Sequence, residues 1–108
     1  MRRPLAALIV TLMLAGCGGP RPEVRSAEVA PPVEGKAIVT VVVANRGGGD
    51  GQVELKVTLR DGKGSVVARD GRPLELRGRE TVTVVLELQV PDDAQGLRVE
   101  AEAVYPPD

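Results

Sequence analysis

The sequence has no histidine, tryptophan or phenylalanine, and it has only one cysteine and one tyrosine. Histidine is the commonest general base and metal ligand at neutral pH, so its absence argues against catalysis and metal binding. A single cysteine cannot form a disulfide within the chain, so packing must stabilise any fold. The scarcity of aromatic rings also disfavours a sugar site, because such sites stack rings on pyranose faces. We expect no enzyme, no cofactor and no metal site.

An excess of charge of one sign is also lacking. The 14 basic and 15 acidic side chains give a formal net charge of −1. If Arg2 and Arg3 are removed with a leader, 14 − 2 leaves 12 basic against 15 acidic side chains, a net charge of −3. Nucleic-acid binding needs a clustered basic surface, so we do not expect a nucleic-acid partner.

The first 16 residues have the pattern of a secretory signal. Arg2 and Arg3 precede an apolar stretch at 5–14, and the small residues Ala15 and Gly16 follow it. A helix of that length spans roughly 15 Å, about half of a bilayer core. The stretch therefore suits export better than permanent membrane spanning.

Leu14-Ala15-Gly16-Cys17 resembles the lipobox of bacterial lipoprotein precursors. The resemblance implies cleavage between Gly16 and Cys17, and a diacylglycerol on the Cys17 thiol with a further acyl chain, such as palmitate, on the new amino group. One acyl chain holds a protein at a membrane only marginally, whereas two or three anchor it stably. The alternative is cleavage by the ordinary signal peptidase, which would leave a free thiol.

The same resemblance bears on localisation. Gly18 stands where an aspartate would favour retention in the inner membrane, so the outer membrane is favoured. We expect a lipid-anchored protein of the cell envelope that faces the periplasm or the cell surface.

Two alternatives are open for the stretch that follows Cys17. Residues 17–35 are rich in proline and glycine and have no periodicity, which is typical of a semi-rigid tether. Within them, "EVRSAEV" at 23–29 could instead form a first edge strand.

From residue 36 onward the pattern changes to the period of two that marks half-buried strands. Strands are predicted at 37–45, 52–60, 81–90 and 97–105, with shorter ones at 65–69 and 73–77. Residues that favour turns separate them at 47–51, 61–64 and 70–73. One-sided apolar strands at this spacing predict an all-β fold, two antiparallel sheets packed face to face over residues 36–105, with a short tail at 106–108.

Two local motifs carry a further resemblance. Asn45-Arg46-Gly47 ends one strand, and Gly78-Arg79-Glu80 leads into "TVTV" of a long strand. This pattern resembles the small immunoglobulin-like modules of bacterial surface proteins, namely the cell-adhesion-related bacterial domain and the FxLYD-type domain, although the chain lacks the phenylalanine of the FxLYD signature. The resemblance implies an immunoglobulin-like β-sandwich of about six to seven strands that binds or spaces without catalysis.

Several candidate sites have simpler structural interpretations. Asp92 and Asp93 could begin a calcium site, but two adjacent aspartates are more simply a polar loop. Glu100 and Glu102 share a strand face with Arg98, which is typical of a solvated surface. The glycines at 47–51 lack the Lys-Ser/Thr of a phosphate-binding loop and are expected to form a turn.

Two polar or aromatic residues near strand ends have two interpretations each. Tyr105 could stack on a ligand. Because it falls on the same predicted strand face as Val99, it could instead pack at the edge of the core. Asn45 is expected to satisfy backbone groups of a turn rather than a ligand.

The candidate partner-facing residues are Val42 and Val85, which with Ile38 fall on faces that should be exposed. They would form an apolar patch for an envelope protein, or lie under the tether or another strand. The expected function is a non-catalytic protein-interaction or assembly module. The alternatives are a passive spacer of the cell envelope and a ligand- or glycan-binding accessory domain.

Overall fold

The computed structural model describes residues 19–107. In that range the chain is all-β and folds into six antiparallel strands in two sheets. The strands are β1 (Pro22–Val29), β2 (Lys36–Asn45), β3 (Gly51–Arg60), β4 (Val66–Leu76), β5 (Thr81–Gln89) and β6 (Arg98–Val104). One sheet has the order β1-β2-β5 and the other the order β4-β3-β6. The predicted all-β sandwich is confirmed.

The core lies between the two sheets and is made by the predicted alternation. Ala37, Val39, Val41 and Val43 of β2 are fully buried, and β3 contributes residues of the same parity. Burying one valine or leucine side chain stabilises a fold by about 1.5–3 kcal/mol. The remaining core positions are Val53, Leu55, Val57, Leu59, Leu76, Leu86, Leu88 and Val90.

Of the two alternatives for residues 23–29, the structure has the strand. β1 pairs with β2 from Pro22↔Asn45 to Val29↔Val39. A bulge between Val24 and Ser26 adds one residue, so that Arg25 and Ser26 are both exposed while Ala27 packs on the core. The folded part of the chain therefore includes residues that the tether would have occupied, and only four residues of sequence, 18–21, separate Cys17 from β1.

The turn predicted at 70–73 was wrong, because β4 runs continuously from Val66 to Leu76. Gly71 pairs with Lys56 and Pro73 pairs with Glu54 within the ladder. β4 lies at the edge of its sheet, where a proline that lacks an N–H is tolerated. The partner strand therefore overrides the local turn preference of this segment.

Candidate functional site

The outer face of the β1-β2-β5 sheet carries the predicted partner-facing residues. We call its central part, Ile38, Thr40, Val42, Thr83 and Val85, the threonine–valine face. In the ladder Thr40 pairs with Val85 and Val42 with Thr83, so these side chains adjoin one another. Val85 is 60% exposed and Ile38 is 41% exposed, whereas Val42 is half-buried. The face presents branched side chains without a charge at its centre.

β5 forms an edge of its sheet, so the threonine–valine face ends at a strand whose outer side has no ladder partner in residues 19–107. A strand edge can accept the backbone of another chain, while side chains on the adjoining face set specificity. Beside Ile38, an exposed ion pair joins Lys36 Nζ to Glu87 Oε2 at a distance of 3.4 Å. The arrangement suits contact with a protein surface rather than chemistry on a small molecule.

The outer face of the β4-β3-β6 sheet is different, because its central residues are mostly charged. Lys56 of β3 lies opposite Glu102, and Thr58 lies opposite Glu100. Arg60 Nε lies 3.2 Å from Glu100 Oε1. Opposite charges on neighbouring strands stabilise a sheet modestly and keep its face hydrated. Glu100 and Glu102 thus lie on a charged, solvated face.

Asn45 is 3% exposed, and its amide uses its full hydrogen-bonding capacity. Its Oδ1 accepts from the N–H groups of Arg21 and Gly47, each at 2.9 Å. Its Nδ2 donates to the carbonyls of Gly49 and Arg77, also at 2.9 Å each. As expected, this residue binds backbone groups, and it joins the start of β1, the β2–β3 loop and the end of β4.

Tyr105 follows β6 and closes the same end of the sandwich. Its ring occupies the position that a side chain on Gly19 would need, and it also lies beside Gly51. The residue is 45% exposed, so only part of the ring packs on the protein.

Asp92 and Asp93 lie exposed in the loop between β5 and β6, at the opposite end. Among residues 19–107, no group of three or more potential ligands could hold a metal ion. The two aspartates thus have the surroundings of a polar loop.

A group of arginines at the Asn45 end was not predicted. Arg21, Arg25, Arg46 and Arg79 line one open pocket of about 370 Å³, which we call the arginine pocket. Its members come from the residue before β1, the bulge of β1, the β2–β3 loop and the β4–β5 turn. Because no two of them are neighbours in sequence, no local charge run signals the cluster.

The lipobox residues Gly16 and Cys17 lie outside the described residues. Over residues 19–107 the chain forms no helix with the length and hydropathy needed to cross a membrane. The assignment of an anchor therefore stays a prediction from the sequence.

No protein-family model matches the sequence, and a search of curated proteins gives no match. Among solved structures, the chain is similar to the crystal structure of a DUF1425 family member from Shewanella sp. pv-4, with a TM-score of 0.64 and 17% sequence identity. The match covers 85% of this chain and 84% of that chain. At this identity the likeness concerns the β-rich fold alone and assigns no activity.

Proposed function

We propose that the protein is an envelope lipoprotein whose β-sandwich is a non-catalytic module for binding another envelope protein. Acyl chains on Cys17 anchor it, with the outer membrane favoured, and the threonine–valine face contacts the partner. The observation that carries the binding role is the exposure of Val85 and Ile38 on one sheet face, while the other outer face is charged. Apolar side chains grouped on one face are typical of an interaction surface.

The anchor is tested by expressing the chain in bacteria with labelled fatty acid. Label on the wild type and its loss in Cys17→Ser, together with accumulation of uncleaved precursor, would support lipidation. Ser26→Cys combined with Cys17→Ser is the matched control, because it restores a thiol at an exposed position outside the lipobox. Label on Cys17→Ser alone would contradict the assignment.

The interaction surface is tested by crosslinking in intact cells, followed by mass spectrometry of what co-purifies. We expect one dominant envelope protein, and its loss in Val85→Lys, because a lysine replaces the most exposed apolar side chain of the threonine–valine face with a charge. Val66→Lys is the control, since Val66 is also exposed, at 37%, but lies on β4 of the other sheet. Surface substitutions of this kind change stability by only about 0.5 kcal/mol, so both variants should fold. Equal capture of one partner by wild type and Val85→Lys would mean that the partner binds outside the threonine–valine face, whereas no specific partner at all would favour a passive spacer.

A further inference from the structure

The chain enters the sandwich at the end that carries the arginine pocket. Pro20 is buried and lies against Gly51, while the Tyr105 ring packs beside Gly19. Arg21 is held on both sides of its backbone, because its N–H donates to Asn45 Oδ1 and its carbonyl accepts from the Arg46 N–H, each at 2.9 Å. The position of the chain at 19–21 is therefore fixed relative to the β2–β3 loop.

Cys17 precedes Gly19 by two residues, and two residues extend the chain by at most about 7 Å. If the Cys17 thiol carries acyl chains, this end of the sandwich must lie beside the lipid headgroups. A long spacer would have made the orientation of the domain irrelevant, whereas so short a connection makes the adjoining surface a membrane-facing one.

Basic side chains predominate on that surface. Arg46 is exposed, and its Nη1 lies 3.4 Å from Glu23 Oε1. The same carboxylate oxygen lies 3.9 Å from Arg25 Nε. Arg79 donates from Nη1 to the Arg46 carbonyl at 2.7 Å, which fixes its side chain over the pocket. The loops at this end, 19–21, 46–50, 77–80 and 105–107, carry the arginines Arg21, Arg46, Arg77 and Arg79 against the acidic residues Asp50 and Glu80.

The loops at the opposite end have the reverse balance. Loops 30–35, 61–65 and 90–97 carry the acidic residues Glu34, Asp61, Asp92 and Asp93 against Lys63. The strand ends beside these loops carry Lys36 and Arg60, which pair with Glu87 and Glu100, and Arg98. The charges of the loops are therefore polarised along the strands, with the basic loops next to Cys17 in the sequence. Beside an anionic surface, this distribution favours one orientation.

We propose that the arginine pocket docks on the phosphate groups of anionic lipids around the anchor and holds the sandwich upright on its basic end. Guanidinium groups bind phosphate oxygens in a planar, bidentate geometry, which suits four arginines around one open pocket. The inference depends on the proposed lipidation of Cys17. Docking of the arginine pocket adds a second, electrostatic contact with the membrane. It leaves the threonine–valine face accessible from the side.

The test uses the full chain, produced as a lipoprotein and purified with its lipid. Gln52→Cys supplies a thiol for a fluorophore at the basic end, because Gln52 is exposed at the start of β3 and lies outside the arginine pocket. Lys63→Cys supplies the matched position in the exposed loop at the acidic end, beyond the other end of β3 and about 30 Å away. Each labelled protein is placed in vesicles that contain an acceptor-labelled headgroup lipid. The vesicles are either phosphatidylglycerol and phosphatidylcholine in equal parts or phosphatidylcholine alone.

In vesicles with phosphatidylglycerol, we expect energy transfer from position 52 to be several-fold greater than from position 63. The difference should shrink in phosphatidylcholine alone and at high salt, since screening weakens contacts between exposed charges. Arg25→Gln with Arg46→Gln should shrink it too. Lys36→Gln with Lys63→Gln removes the same amount of charge from the other end. This control, measured with the label at position 52, should leave the energy transfer unchanged.

Equal transfer from positions 52 and 63, or a difference that does not depend on phosphatidylglycerol, would overturn the docking while leaving the anchor intact. Mass spectrometry of the purified protein separates the two proposals. Absence of lipid on Cys17 would overturn both, whereas a lipidated protein without orientation would overturn only this one.

Discussion

At the basic end of the sandwich, the Asn45 amide joins segments that are 24 and 32 residues away in the sequence. At the acidic end, the corresponding side chain is Asp61, whose Oδ1 accepts from the N–H groups of Lys63 and Ser65, only two and four residues away. The first set of bonds closes the fold, while the second shapes one turn. The two ends therefore differ in how far the effect of a single side chain should spread.

Asn45→Ala should have the largest effect, because it leaves four backbone groups without their partner. Each hydrogen bond contributes about 1 kcal/mol net, and buried groups left unsatisfied cost more, so we expect a loss of about 2–4 kcal/mol. For a domain of this size that lowers Tm by about 10–25 °C, as thermal unfolding followed by circular dichroism would measure. Gln52→Ala, which removes an exposed amide from β3, is the control. A Tm within a few degrees of the control would refute the role given to Asn45.

Gly78→Ala should come next, because the β4–β5 turn packs tightly on the β2–β3 loop. A side chain on Gly78 would overlap the backbone of Gly48, so one of the two segments must move. That movement would strain the bond from the Gly78 N–H to Asp50 Oδ1, 2.7 Å, and the bond from the Arg79 N–H to the Gly47 carbonyl, 2.9 Å. Overpacking of this kind costs about 1–3 kcal/mol.

Gly48→Ala is the matched control for this contact, since it adds the same methyl group to the other partner, on its open side. Urea unfolding should show a clearly lower midpoint for Gly78→Ala and an almost unchanged one for Gly48→Ala. Equal midpoints would mean that the close approach of the two segments is not maintained in solution.

The strands could be predicted from the sequence because side-chain burial in a sheet has a period of two. Val53, Leu55, Val57 and Leu59 alternate with polar residues, and all four are buried. A turn was wrongly predicted at 70–73 because Gly71 and Pro73 favour turns locally. In the structure, pairing with β3 keeps this segment extended. Such pairing joins residues distant in sequence and leaves no local signal.

The candidate site was predictable to the extent that it follows the same alternation. Val85 is exposed because its parity differs from that of Leu86 and Leu88, which are buried. The arginine pocket was not predictable, because its members meet only through the register of β1 with β2 and the contact between two loops. Its detection required the fold.

Asp61→Ala should have the smallest effect of the three, since both of its bonds are exposed and local. Loss of two such bonds costs about 1 kcal/mol, because water replaces them at the surface. The effect should also stay within the turn, so amide hydrogen exchange should quicken at Lys63 and Ser65 and remain unchanged in β1 and β2. Asp61→Asn keeps the accepting oxygen and should restore most of the protection. If exchange quickened throughout the sandwich, the acidic end would share the long-range role of Asn45, and the difference between the two ends would disappear.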